Sequence, residues 1–322
     1  MSRVGVAQLA PAPGETARGM VRIPGVEPAW EVPVFVVRGR EPGPTLAVSA
    51  GVHAAEYPPI EAATRLARGL DPARLLGTAI VIPLVNTPGF FTRSIYVNPI
   101  DGRNLNRAFP GSPEGSASER VAYFLLEQVI VGCDAYVDLH CGDMIEALVP
   151  FAAYHLTGRE EVDRVSRGLS EAFGIEYVIA GRGVDLPGTG YANAALRGVP
   201  ALLAEVGQQG VYEQESVERL VQGVRGVMAW LGMLPGVRPS GPGPRREFSR
   251  FSWLYADVSG TYHPLVAVGE EVAEGQPVGE IRDLFGERLC ELRAPATGPV
   301  LFLVTSLAIN RGDPLLGVAV AE

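Results

Sequence analysis

The chain has 322 residues, of which 47% are hydrophobic and 20% charged, enough for one large α/β domain or a medium domain with a small one, and too apolar for a disordered chain. Its net charge of −9 supplies no basic face for duplex nucleic acid. No lysine is present, which excludes Schiff-base, P-loop and lipoyl- or biotinyl-attachment lysines.

The N-terminus has no apolar signal region, and no apolar run is long enough to span a membrane. The three cysteines, Cys133, Cys141 and Cys290, do not form a disulfide framework. A soluble, cytoplasmic protein without membrane or nucleic-acid partners is expected, with assembly into homo-oligomers left open.

Residues 1–42 read as short strands with turns. Apolar strands are then predicted at Thr45–Ala50, Thr78–Val85, Ala135–Leu139 and Pro200–Val206. Between them, helices are predicted at Pro58–Gly69, Ser118–Val131 (capped by Ser116 or Ser118), Glu160–Phe173 and Glu213–Leu231. Apolar strands alternating with helices imply an α/β fold, a mostly parallel or mixed sheet with helices on both faces. Residues 1–236 read as this catalytic domain and 237–247 as a linker, within the Pro/Gly-rich run PGVRPSGPGPRRE. Residues 248–322 show short β-type runs and no helix. The stretch VAVGEEVAEGQPVGEIRDLFGERLCELRAPATGPVLFLV resembles the sandwich of biotinyl and lipoyl domains without the attachment lysine. A small all-β domain beside the active site is expected.

Two of the four histidines lie just past predicted strand ends, where open α/β sheets bind ligands. His53 follows the strand TLAVSA in GVHAAE, and His140 closes the strand in DAYVDLH. Glu56, three residues after His53, can aim at the same point. His53, Glu56 and His140 supply a His2Glu set for one catalytic Zn2+ per chain, leaving a position for water. Asp138, on the same strand face as His140, is placed to orient it. Cys133 and Cys141 lack metal-binding CxxC spacing. His155 reads as a strand-end or core histidine, and His263 belongs to the β domain.

Four segments in order carry a resemblance: GVHAAE (51–56), DGRNLNRAFPG (101–111), DLHCGD (138–143) and AEVGQQG (204–210). Over roughly residues 40–232 the chain resembles the succinylglutamate desuccinylase/aspartoacylase family, similar in turn to the zinc carboxypeptidases. The resemblance implies that His53, Glu56 and His140 bind zinc and that Glu205 is the catalytic glutamate. It implies that Asn106 and Arg107 grip a substrate carboxylate, and that Arg93, or less well Arg103, polarises the scissile carbonyl. The chemistry is coherent: a metal lowers the pKa of water, a carboxylate moves its proton to the leaving amine, and an arginine stabilises the oxyanion.

The chain departs from the family at one point. Tyr191 falls at a substrate-binding tyrosine position, but the family's following arginine is replaced by Ala195, with Arg197 two residues later. The expected activity is therefore hydrolysis of the amide bond of a small N-acyl amino acid whose side chain is neutral or basic. Two alternatives are a metallocarboxypeptidase acting on peptide C-termini and an inactive ligand- or metal-binding protein.

Overall fold

The computed structural model describes residues 9–182, 188–237 and 244–321. Two antiparallel strands come first, β1 (Glu15–Arg22) and β2 (Glu31–Arg38). Alternation follows: β3 (Glu41–Ala50), α1 (Tyr57–Gly69), β4 (Leu76–Ile82), α2 (Thr87–Thr92), α3 (Ala117–Tyr123) and β5 (Ala135–His140). Next come β6 (Glu146–Leu148), β7 (Phe151–His155), α4 (Glu160–Phe173), β8 (Tyr177–Gly181), α5 (Gly190–Leu196), β9 (Ala201–Glu205), α6 (Gln214–Trp230) and β10 (Arg246–Phe248).

Nine of these strands form one mixed sheet in the order β1-β2-β4-β3-β5-β9-β7-β8-β10. Its centre, β4-β3-β5-β9, is parallel, and β7 enters antiparallel to β9. The central strands are covered on both faces, so they read as continuous apolar runs. One face, carrying Val48, Val137, Leu139, Leu202 and Ala204, packs on α1, α4 and α6. The other face carries Ser49, Asp138, His140, Leu203 and Glu205, because registered residues of parallel neighbours point the same way.

Local chemistry accounts for the element ends. Pro58 and Pro59 sit in the first turn of α1, where their missing N–H groups cost nothing. Ser116 caps α3 in a reciprocal capping box with Glu119. The helix expected over 118–131 begins at Ala117 and widens into a π-helical stretch at Phe124–Ile130. The strand expected to reach Val85 stops at Ile82, because Pro83 has no N–H for the ladder. Of the residues expected as linker, Arg246 and Glu247 join β10 and pair parallel with β8. The Arg246 guanidinium lies 5.2 Å from the centroid of the Tyr177 ring and so ties β10 down. Residues 238–243 of the expected linker lie outside the described residues.

Beyond β10 the described residues contain strands and no helix. They are β11 (Arg250–Tyr255), β12 (Gly260–Pro264), β13 (Glu271–Val272), β14 (Pro277–Arg282), β15 (Arg288–Arg293), β16 (Gly298–Val304), β17 (Ala308–Ile309) and β18 (Pro314–Val320). One sheet runs β11-β18-β16-β13 and the other β15-β14-β12-β17. Val278, Ile281, Val300, Leu316 and Val318 are among the side chains of the core they share. β6 is hydrogen-bonded to β16 rather than to the nine-stranded sheet, so a segment between β5 and β7 is a strand of the C-terminal sheet. No helix of the described residues is long and apolar enough to cross a membrane.

Candidate functional site

β3 ends at Ala50, and Gly51 takes a left-handed φ of 62° that a side chain would strain. A Cβ there would also meet Leu84 at 2.8 Å. This turn delivers His53 and Glu56 to the end of the sheet, just before α1. His140 is the last residue of β5, beside them.

Glu56 is buried between the two imidazoles. Its Oε1 lies 2.7 Å from His53 Nδ1, and its Oε2 lies 3.0 Å from His140 Nδ1. Glu56 Oε2 also accepts the Cys141 N–H at 3.1 Å. The ligand atoms of His53, Glu56 and His140 all lie within 4.8 Å of one another.

The outer nitrogens settle the tautomer of His53. Asn104 Oδ1 accepts the backbone N–H of Asn106, so it is an acceptor, and His53 Nε2, 3.1 Å from it, must donate. A neutral His53 then aims its Nδ1 lone pair at a carboxylate oxygen, an arrangement that needs a proton or a cation between them. His140 Nδ1 is buried and makes no aligned hydrogen bond despite its proximity to Glu56. Both features fit a metal held by the three side chains. His140 Nε2 lies 3.4 Å from Asp138 Oδ2 and 3.5 Å from the Asn106 amide. Asp138 is in turn held by Ser49, whose hydroxyl donates to Oδ1 at 2.7 Å and meets the Tyr136 hydroxyl at 2.6 Å.

Charge in this cluster is strongly perturbed. Burial opposes the ionisation of Glu56, but His140 and His53 outweigh it and hold its pKa at about 2. Burial opposes charging of both histidines, yet Glu56 raises them, His140 most strongly with help from Asp138. Glu205, opposite His140 in the β5–β9 ladder, is pushed well above the usual carboxylate range by burial, with Glu56 and Glu146 adding to it and His140 opposing. Its Oε2 is buried without a hydrogen-bond partner. Burial and the neighbouring Glu56 raise Glu146 to about 7, although the Asp143 N–H stabilises its carboxylate.

One cavity of about 560 Å³ is lined by His53, Glu56, Asn106, Arg107, Tyr191 and Glu205. The buried Asn106 accepts the Gly190 N–H at 3.0 Å, and Arg107 donates to the Asn106 carbonyl at 2.7 Å. Arg107 keeps part of its surface exposed, while desolvation by the surrounding protein lowers its pKa. Gly188, with φ of 84°, passes so close that a Cβ would lie 2.3 Å from the Arg107 carbonyl.

Arg93 and Arg103 are not brought to this cavity. Arg93 is exposed at the C-terminal cap of α2, with φ of 53°. Arg103 is exposed and 3.4 Å from Glu119. The oxyanion assignment to either rests on the family resemblance alone. Ala195 is fully buried in α5, and Arg197 turns outward to Glu127 at 3.0 Å. His155 ends β7 and lines the cavity, whereas His263, half-buried in β12, does not.

Sequence reasoning passed over several participants. Asn104 stood inside the quoted NLNR motif, where its spacing to His53 was invisible. Ser49 was the polar residue closing an apolar strand, a usable signal in a strand covered on both faces. Tyr96 has a positive φ of 58°, packs its ring edge-on to His53 and bonds Glu146, and nothing in its sequence neighbourhood marks it. Glu146 and the C-terminal aromatics reach the cavity through the β6–β16 pairing.

The succinylglutamate desuccinylase/aspartoacylase catalytic domain matches residues 42–231. The chain belongs to that family. It is 29% identical over 311 residues, 94% of this chain and 90% of the relative, to the N-alpha-acetyl-L-2,4-diaminobutyric acid deacetylase of Halomonas elongata. A succinylglutamate desuccinylase/aspartoacylase from Rhodobacter sphaeroides superposes with a TM-score of 0.84 at 28% identity, over 95% of each chain. The ectoine utilization protein EutE (DoeB) of Ruegeria pomeroyi, solved with product bound, superposes with a TM-score of 0.86 over 100% of each chain at 24% identity and shares the fold.

Proposed function

We propose that this chain is a zinc-dependent deacylase that hydrolyses the amide bond of a small N-acyl amino acid with a neutral or basic side chain. The observation that carries the reading is Glu205, half-buried in the lining of the same cavity as His53 and Glu56, with its Oε2 left without a hydrogen-bond partner. His53, Glu56 and His140 would hold the metal, one per chain, and two imidazoles with one carboxylate suit zinc. Bound there, a zinc ion supplies Lewis acidity, brings the pKa of water toward neutrality and favours the ionised form of nearby carboxylates.

The protein's own groups then do the following. The Glu205 carboxylate takes the proton of the attacking water and gives it to the leaving nitrogen. Asn104 and Asp138 keep the two imidazoles oriented from their outer nitrogens. Arg107, with its planar fork, and Asn106 hold the substrate carboxylate, and Tyr191 flanks it.

The side-chain preference has its own support. The described residues lining the cavity include a single arginine, Arg107, and four acidic residues, Glu56, Glu146, Glu205 and Asp313. Ala195 and Arg197 leave no arginine of α5 to receive an acidic side chain. The Halomonas relative, whose name gives it an N-acetylated diamino acid, agrees with this. The roof contributed by the C-terminal sheets favours small substrates over peptide C-termini.

The test is hydrolysis of a panel of N-acetyl and N-succinyl amino acids by protein purified without a metal-affinity tag, with bound metal measured by elemental analysis. About one zinc per chain, lost in His140→Ala, and turnover of neutral or basic N-acetyl amino acids are expected. Preference for N-acetylaspartate or N-succinylglutamate would overturn the substrate reading. Failure to hold metal when zinc is supplied would overturn the mechanism.

A further inference from the structure

Much of the cavity is not polar. Period-two alternation puts Phe151 and Ala153 of β7, Ile179 of β8 and Leu203 of β9 on the face that also carries Glu205. These four side chains form an apolar floor beside the metal site. The facing wall comes from the C-terminal sheet: Phe251 and Trp253 of β11, and Phe302 and Val304 of β16. Phe151, Phe251, Trp253 and Phe302 make a continuous aromatic run, each ring centroid 5.2 Å from the next.

Two polar atoms lie just behind this surface. Trp253 Nε1 and Thr189 Oγ1 are buried and have no hydrogen-bond partner, and both residues line the cavity. An apolar chamber with a few placed polar groups is the usual form of a site for a mid-sized organic ligand, in pockets of about 300–1,000 Å³. At about 560 Å³ the cavity belongs to that class and exceeds what an acetyl group on a short amino acid needs.

We infer that the chamber is a subsite for an apolar group on the substrate, an aliphatic or aromatic moiety larger than acetyl, attached to the scissile amide. The inference rests on the deacylase reading for the position of that amide, and it extends the reading to the group beside it. The apolar group belongs either to the acyl part or to the amino-acid side chain, and the chemistry that recognises it is the same.

The experiment measures binding apart from turnover. Zinc-loaded Glu205→Gln is titrated calorimetrically with N-acetyl-, N-hexanoyl- and N-benzoylglycine, and separately with N-acetylglycine, N-acetylleucine and N-acetylphenylalanine. Each methylene buried in an apolar site is worth roughly a fourfold gain in affinity, so at least about a tenfold tightening is expected along one series. The series that tightens tells which part of the substrate enters. Ala153→Leu, which fills the chamber floor, should remove the gain and leave N-acetylglycine binding unchanged. Ala308→Leu, from another lining position, gives the same reading if the strand variant does not fold.

Equal affinity across both series, or no binding by any member, overturns the subsite. Wild-type turnover of the same compounds is scored separately. Longer ligands that bind more tightly but are never hydrolysed would leave the subsite standing and sink the deacylase reading. Hydrolysis without any size preference would do the reverse.

Discussion

His140 and Glu205 are direct neighbours across the β5–β9 ladder, and both side chains emerge on the same face of the sheet. One sits among the proposed metal ligands and the other faces the substrate space. Glu205→Gln should therefore keep its metal and its fold while kcat falls by about 10²–10⁴. Bound metal and kcat measured on the same preparation check this. A variant with near wild-type turnover would remove Glu205 from the mechanism.

Ser49 reaches the proposed metal site through Asp138. Its hydroxyl holds Asp138 Oδ1 and meets the Tyr136 hydroxyl, and all three side chains are buried. Ser49→Ala leaves two buried polar groups short of a partner, which should cost about 1–3 kcal/mol in stability. Metal affinity should fall about 10–100-fold as the His140 ring loses its orientation. Denaturant titration and competition with a chelator read the two effects separately. Unchanged metal affinity in the variant would break the proposed link.

The histidines set a pH dependence. In the metal-free chain Glu56 raises His53 and His140 above the usual 6.5, against the effect of burial. Such a raised group stabilises the fold fully below 6.5, and the gain is lost as pH rises through the folded-state value. Glu56, depressed from 4.5 to about 2, stabilises above 4.5 and loses that gain as pH falls toward about 2. These three groups therefore favour the metal-free fold most between pH 4.5 and 6.5. Protons compete with metal for Nδ1, so the Tm gain on adding zinc should grow as pH rises. Melting curves across about pH 4 to 9, with and without zinc, test it; a gain independent of pH would contradict it.

Arg107 and Arg197 should respond oppositely to mutation. Arg107→Lys loses the planar fork, so KM should rise about tenfold with a smaller change in kcat. Arg197→Ala should leave kcat/KM unchanged, because its guanidinium is bound to Glu127 away from the cavity. Steady-state kinetics on one good substrate suffices. Equal losses in both variants would mean that the carboxylate-binding role has been misassigned.

The parts of the molecule that could be read from sequence share a physical cause. β3, β5 and β9 are buried on both faces and bounded by turns, so their apolar runs stood out, and His53 and His140 could be placed at strand ends. α4 begins at Glu160 and ends at Phe173, as its periodicity predicts. β7 (FAAYH) and β8 (YVIAG) mix alanine and tyrosine without a long aliphatic run, and α5, at seven residues, is too short for a helical periodic signal. Their absence hid the cavity floor. Contacts between distant segments were equally hidden: Asn104 with His53, Ser49 with Asp138, and Phe251 with Phe151. Arg93 and Arg103 are exposed and outside the cavity lining, and a position in a motif does not fix where a long side chain points.

The antiparallel pairing of β6 with β16 also constrains how the protein is made. About 150 residues separate the two strands, and β6 begins with Glu146, a wall of the cavity. A chain emerging from the ribosome can complete the nine-stranded sheet only after β10, and it still lacks β6's partner then. Until β16 emerges, β6 presents an open edge and the apolar floor of Phe151, Ile179 and Leu203 is uncovered. Such a surface is prone to association with other chains. Biogenesis of this protein therefore has a vulnerable interval late in synthesis, when chaperone protection matters most.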